Sequence, residues 1–260
     1  MLPASSTKDS KVLPCPLATS LFHLAQSDDG HSNGTALWLG AQCLSAYLTH
    51  FAVPKPGMHA IELGSGIGLT ALAIARLGCN VTATDLPWVI SRCLEKNIEN
   101  NISQLPPGSG NILVRELDWT VSPNSWLWDH ETIIASPTLT PPASTSSRLP
   151  QLDQGLDLIV TADTIYSSEL VTPFLQTLHA LCIFSLSASS YPRSPTIFIC
   201  LERRDPALTD RTLEEAKSKW RFVVQRIPQH KVSKALSKIG FKWTKDDWDA
   251  VELWKLTYRG

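Results

Sequence analysis

Apolar and polar positions alternate between two periods along most of this chain, and the switches between them mark its elements. Leu37, Trp38, Ala41, Leu44, Tyr47, Leu48 and Phe51 share one helical face, with Asn33 and Thr35 as caps, and predict a helix leading into a strand over 58–63. Leu69, Leu72, Ala73, Ile74, Ala75 and Leu77 return to helical spacing, and 81–84 is a second strand. Pro87 suits a first helical turn, and Val89, Ile90, Cys93, Leu94, Ile98 and Ile102 carry that helix's buried stripe. Strands follow at 112–117, 156–162 and 196–201, with a helix over 169–184 between the last two. A helix over 208–220 and strands at 222–227 and 251–258 close the chain. The last two strands are joined by 23 residues without a clear crossover, so an antiparallel pair is expected there. The result is an α/β chain with a Rossmann-like, doubly wound sheet of seven strands, mostly parallel with an antiparallel last strand.

Two stretches fall outside this pattern. Residues 1–33 are broken up by Ser, Pro, Asp and Gly and are expected to be a partly disordered arm, leaving 34–260 as the domain. Residues 120–154, with Pro137, Pro141, Pro142 and Pro150, are expected to be a mobile insertion rather than a second domain.

The stretch that changes the picture is Ile61-Glu62-Leu63-Gly64-Ser65-Gly66-Ile67-Gly68-Leu69, where strand meets helix through three glycines. A turn this sharp needs glycine, and glycine lets a ligand come closer than a Cβ would allow. Asp85, ending the second strand, stands where such a sheet places a ribose-binding carboxylate. A nicotinamide dinucleotide site would want a third glycine at position 69, which is Leu, and would be repelled by the carboxylate of Glu62. That carboxylate suits a cofactor with a positively charged amino-acid moiety, and S-adenosylmethionine carries one. From the glycine turn alone, a strand-to-helix turn in another kind of α/β protein stays open.

Composition sets bounds. A chain of 260 residues with 43% apolar content is enough for one sizeable domain. The net charge of −1 is no attraction to nucleic acid or anionic lipid, although residues 202–245 hold 12 basic and 5 acidic side chains. Those are expected on solvated helix faces. Cys15, Cys43, Cys79, Cys93, Cys182 and Cys200 form no C-x-x-C pair and read as buried reduced thiols, and no metal site is expected. No secretory signal pattern opens the sequence and no run is expected to span a membrane, so the expected location is cytosolic or nuclear. The seven histidines are scattered and give hydrolase chemistry no support.

Five ordered blocks resemble the seven-β-strand, class I protein-lysine methyltransferases, in particular the branch acting on elongation factors and chaperones. They are Ala36-Leu37-Trp38, Glu62 to Gly68, Thr84-Asp85, Leu117-Asp118-Trp119 and Ala162-Asp163-Thr164-Ile165-Tyr166. The closing Asp-x-x-Tyr separates the protein-lysine branch from small-molecule enzymes that share the glycine turn. Ser65 and Ile67 depart from the usual residues of that turn, the N-terminal hairpin of many members looks truncated, and the 120–154 insertion is long.

The resemblance implies roles position by position. Gly64, Ser65 and Gly66 would contact the amino-acid and sulfonium portion of S-adenosylmethionine, with Glu62 facing its ammonium. Asp85 would accept the ribose hydroxyls, Asp118 the adenine amine, and Trp119 would pack on the adenine. Trp38 would cover the cavity and Ala162 would border it. Asp163 and Tyr166, past the carboxyl end of the fourth strand, would be catalytic: Asp163 positioning the acceptor and capturing its cation first, with proton acceptance secondary, and Tyr166 orienting the amine. Leu201-Glu202-Arg203-Arg204, ending the fifth strand, is expected to border the peptide entrance, with Glu202 read as paired to the arginines before being read as a recognition acid. Trp220, Trp243, Trp248 and Trp254 interleave with basic residues but are expected in the core rather than on a nucleic-acid platform.

The expectation is therefore a monomeric enzyme that methylates a lysine of a protein, with an elongation factor as one acceptor, and with neither nucleic acid nor membrane as partner. Two rivals are an N-methyltransferase for small molecules, arginine or histidine, and a non-enzymatic module that binds the cofactor or a partner.

Overall fold

The computed structural model describes residues 7, 10–27, 33–51, 53–139, 155–188, 193–239 and 243–260. In chain order the elements are β1 (Val12–Leu17), β2 (Ser20–Ala25), α1 (Leu39–Phe51), β3 (His59–Leu63), α2 (Leu69–Ala75), β4 (Asn80–Asp85), α3 (Pro87–Val89), α4 (Glu95–Asn101), β5 (Ile112–Leu117), β6 (Ile133–Ala135), β7 (Leu158–Ala162), α5 (Val171–Ala188), β8 (Thr196–Glu202), α6 (Pro206–Ser218), β9 (Phe222–Arg226), α7 (Gln229–Ile239) and β10 (Val251–Tyr258). The main sheet has eight strands in the order β6-β5-β4-β3-β7-β8-β10-β9. Pairings from β6 to β8 are parallel, and β10 lies antiparallel between β8 and β9. The last strand is thus antiparallel as expected, but the edge belongs to β9.

Strand side chains alternate between two helical layers, as the period of two requires. Ala60, Leu158, Val160, Phe198 and Cys200 face the cluster built with α1, α2 and α7. Ile61, Ile159, Ile197, Ile199 and Leu201 face the one built with α5 and α6. Residues 168–188 are long and apolar enough to cross a membrane, contrary to expectation. Here Val171, Phe174, Leu175, Leu178, Leu181 and Cys182 of α5 are buried against the sheet. All six cysteines are buried free thiols.

Three expectations are corrected. Residues 12–25 are not a weakly patterned arm but an antiparallel hairpin, with Leu13, Cys15 and Leu17 of β1 and Phe22 and Leu24 of β2 buried. It is held by α4: Asn101 Oδ1 accepts from His23 N at 2.8 Å and Asn97 Oδ1 from Ala25 N at 2.8 Å, while their amide groups donate to the His23 and Ala25 carbonyls. Two asparagines at i, i+4 thus do the work of a neighbouring strand.

The second correction concerns 120–139. Arg115 is buried in β5, where its Nη2 donates to the carbonyls of Leu127, Trp128, His130 and Ile133, fixing a loop that ends in β6. Burial lowers the Arg115 pKa to about 10, against the pull of Asp129. Residues 140–154 of the expected insertion lie outside the described residues. Finally, α7 lies in the connection where no clear crossover was expected, burying Val232, Ala235 and Leu236.

Candidate active site

The chain winds outward from β3 to β6 on one side and from β7 to β9 on the other, so the sheet reverses direction between β3 and β7. Ligands of open α/β sheets bind at such a point, beyond the carboxyl ends of the strands. A cavity of about 330 Å³ opens there. Its wall brings together Trp38, Gly64, Gly66, Asp85, Asp118, Trp119, Ala162, Asp163 and Tyr166 from segments scattered over 129 positions of sequence. Glu62 and Ser65 are not in the wall; both are buried beneath it.

The glycine turn is built for close approach. Gly64 and Gly66 have φ of +68° and +55°, and a Cβ at Gly64 would stand 2.8 Å from Thr164 Cγ2. Ser65 N donates to Thr84 O at 2.9 Å, tying the turn to β4. Glu62 is 1% exposed, and burial pushes its carboxyl up to about 8, although the Ser65 and Thr70 hydroxyls draw it back down. Glu62 Oε2 and Ser65 Oγ nevertheless remain buried without a hydrogen bond of proper geometry. An unsatisfied buried carboxylate oxygen beneath a Cβ-free turn fits a group that brings a cation and polar hydrogens.

Asp85 holds the same turn from β4. Its Oδ2 accepts from Gly66 N at 2.8 Å and its Oδ1 from Leu86 N at 2.8 Å. Burial raises its carboxyl to about 6, against those two bonds. Each oxygen keeps acceptor capacity for a hydroxyl. Asp118 Oδ1 accepts from Thr120 N and Thr120 Oγ1, at 2.8 and 2.6 Å, and leaves Oδ2 for another donor. Trp119 is seated on Phe174, with ring centroids 5.4 Å apart.

Asp163, read as positioning the acceptor and capturing its cation, also ties two elements of the framework together. It has φ of +55°, its Oδ2 accepts from Gly40 N at 2.6 Å and its Oδ1 from Glu202 N at 2.8 Å. The carboxylate therefore clips the first turn of α1 to the end of β8. Desolvation raises its pKa despite these bonds and the nearby Arg204. Tyr166 is 55% exposed at the mouth, its phenol pushed above the ordinary value by desolvation and then by Asp85.

The sequence reading missed Gly34, Leu86, Trp88, Leu117, Thr164 and Leu170 as wall residues, and treated Val89 only as core. An available signal was Trp88, a large aromatic three residues past the strand-end acid Asp85. Arg204 lies in the wall, as the entrance reading suggested. Glu202 is paired with it at 2.5 Å, the preferred of the two readings. Trp248 is 7% exposed and packs in the core, as expected.

Comparison with known proteins decides the family. A Mus musculus protein, protein N-lysine methyltransferase METTL21A, is 33% identical over 201 residues, covering 73% of this chain and 78% of that one. The chain belongs to the protein-lysine methyltransferase family. The lysine methyltransferase family profile matches residues 20–138. EEF1A lysine methyltransferase 3 of Xenopus tropicalis is 27% identical over 146 residues, covering 56% of this chain and 51% of that one. A Streptococcus mutans structure assigned as a SAM-dependent methyltransferase shares the fold, with a TM-score of 0.50, 11% identity, and coverage of 95% of this chain and 55% of that one. This lysine methyltransferase thus uses S-adenosylmethionine to methylate protein lysine, as the resemblance implied.

Proposed function

We propose that the acceptor is a lysine on the surface of a folded protein partner, an elongation factor being the first candidate, and that the enzyme works as a monomer. One relative's name, an EEF1A lysine methyltransferase, supports the acceptor class. The observation that carries the site reading is that a single cavity wall holds both halves of the reaction. The glycine turn and Asp85 form one part, and an open mouth with the exposed Tyr166 forms the other. Six free thiols support a reducing compartment, cytosol or nucleus, as the place of action.

In this reading Gly64, Ser65 and Gly66 hold the amino-acid end of S-adenosylmethionine, Glu62 its ammonium, Asp85 its ribose, Asp118 and Trp119 its adenine, with Trp38 and Ala162 bordering it. When bound, it supplies an electrophilic methyl group. The protein's task is to bring a neutral amine to that group. With a reference pKa of about 10.4, keeping the lysine neutral at pH 7 costs about 4.6 kcal/mol in water. A partly desolvated mouth lowers that cost by disfavouring the ammonium, and the Tyr166 phenol orients the amine. Asp163 acts as a positioning residue, since its carboxylate already accepts two backbone N–H bonds.

The test is incubation with tritiated S-adenosylmethionine and an extract lacking the enzyme, followed by mass spectrometry of labelled bands. Tyr166→Phe is the control, because Asp163→Ala would loosen α1 as well. Methyl-lysine on one protein, at least tenfold weaker with the variant at unchanged cofactor affinity, is the expected result. Cofactor binding with no protein labelled would overturn the acceptor reading.

A further inference from the structure

Arg203 and Arg204 leave the end of β8 side by side, but their surroundings differ. Arg203 is anchored in the framework: its Nη2 donates to both carboxylate oxygens of Asp210, at 2.7 and 2.6 Å, and its Nη1 to Glu252 at 3.1 Å. Arg204 turns the other way, into the wall that holds Trp38, Asp163 and Tyr166. Its guanidinium lies 4.4 Å from the centroid of the Trp38 ring, and Nε and Nη2 donate to Glu202 Oε2 at 3.0 and 2.5 Å. An aromatic face and a carboxylate on one cation make a recognition site for a cation. Here that cation comes from the chain itself, on a side chain 48% exposed and so at the edge of solvent.

We infer that Trp38 and Glu202 form a cation-accepting subsite at the mouth of the active site, which Arg204 fills at rest and vacates when the substrate lysine arrives. This rests on the lysine-acceptor reading above. A lysine reaches the mouth as an ammonium, because at pH 7 water favours that form by about 3.4 pKa units. It therefore needs a place to be held as a cation before it is held as an amine. Trp38 offers a π face in the wall that contains Tyr166, and Glu202, bonded to the wall residue Arg204, offers a carboxylate just behind it. The compact ammonium on its flexible stem can use the face and carboxylate that the broader guanidinium covers. Exposed ion pairs and cation–π contacts are weak enough to exchange with a competing cation. Arg204 then acts as a selectivity device: a segment that cannot offer a cation does not displace it.

The experiment uses the full chain and n-butylammonium, a copy of the lysine side chain, with binding followed by NMR chemical-shift titration. Arg204→Ala and Arg204→Ser are expected to bind n-butylammonium at least fivefold more tightly than the wild type, and adding Glu202→Gln to either is expected to abolish the gain. S-adenosylmethionine affinity, measured by calorimetry, reports that each protein is folded and stays within twofold of wild type. Unchanged n-butylammonium affinity in both Arg204 variants, or a gain that survives Glu202→Gln, would overturn the inference. Extract labelling separates the two readings. Methyl-lysine formed by the wild type without the binding gain sinks only the subsite, whereas the binding gain without methyl-lysine sinks only the acceptor reading.

Discussion

At the scale of single residues, the site depends on positions held in the left-handed region, Gly64, Gly66 and Asp163 among them. Gly64 has φ of +68°, and a methyl group there would meet Thr164 Cγ2 at 2.8 Å. Gly64→Ala is therefore expected to cost more than about 1 kcal/mol of stability and at least tenfold in S-adenosylmethionine affinity, read by thermal melting and calorimetry. Asp163, at φ of +55°, is a different case, because Asp tolerates that conformation and its carboxylate satisfies two backbone donors. Asp163→Asn keeps the backbone tolerance but replaces a charged acceptor with a weaker one whose amide cannot accept. A stability loss of about 2 kcal/mol, or roughly 4–8 °C in melting temperature, is expected alongside lost activity. An unchanged melting temperature with lost activity would instead return Asp163 to the purely catalytic role that its motif implied. That role was legible as a position, since the Asp-x-x-Tyr block falls at the strand end. Its hydrogen-bond partners were not, because Gly40 is 123 residues away in sequence and no local pattern links the two.

At the scale of elements, the hairpin and the glycine turn are joined through one side chain. Asn97 Nδ2 donates to Ala25 O at 2.9 Å and to Ile67 O at 3.0 Å, and Oδ1 accepts from Ala25 N. Asn101 serves His23 but makes no contact with the turn among the described hydrogen bonds. Asn97→Leu is expected to cost about 3 kcal/mol, from several buried backbone groups left unsatisfied, and to weaken cofactor binding. Asn101→Ala is expected to speed hydrogen exchange at His23 while leaving cofactor affinity unchanged; an equal loss in both would refute the link. The same residues explain which elements could be read from sequence. The parallel strands β3, β4, β5, β7 and β8 are short stretches rich in apolar and β-branched residues with clear ends, so their positions follow from pattern. β1 and β2 interrupt their pattern with Pro14, Pro16 and Ser20 and are completed by distant asparagines rather than by a sheet. β6 has three residues and depends on the buried Arg115 of another strand. In α7 the stripe Val232, Ala235 and Leu236 was present, but it is short and surrounded by Lys231, Lys234 and Lys238.

At the scale of the whole molecule, the buried acids of the site tie folding, cofactor and pH together. Glu62 has an ordinary value of 4.5 and is raised to about 8; Asp85 goes from 3.8 to about 6; desolvation is the largest cause for both. An acid raised by folding binds more protons in the native than in the unfolded state between those values. The stability it contributes is complete below about 4.5 for Glu62 and is lost as the pH climbs through about 8. The slope is at most about 1.4 kcal/mol per pH unit for one group. The cofactor-free wild type is thus expected to lose stability from pH 5 to pH 8 relative to Glu62→Gln, which has no proton to release, with denaturant melts at each pH as the measurement. The ammonium of S-adenosylmethionine beside Glu62 would reverse the shift by favouring the carboxylate. Binding at pH 7 is then expected to release close to one proton and at pH 9 almost none, seen as a dependence of binding enthalpy on the ionisation enthalpy of the buffer. Glu62→Gln removes the released proton and weakens binding. If the wild type releases no proton at pH 7, Glu62 does not face the ammonium, and its buried, unsatisfied oxygen must be explained within the protein itself.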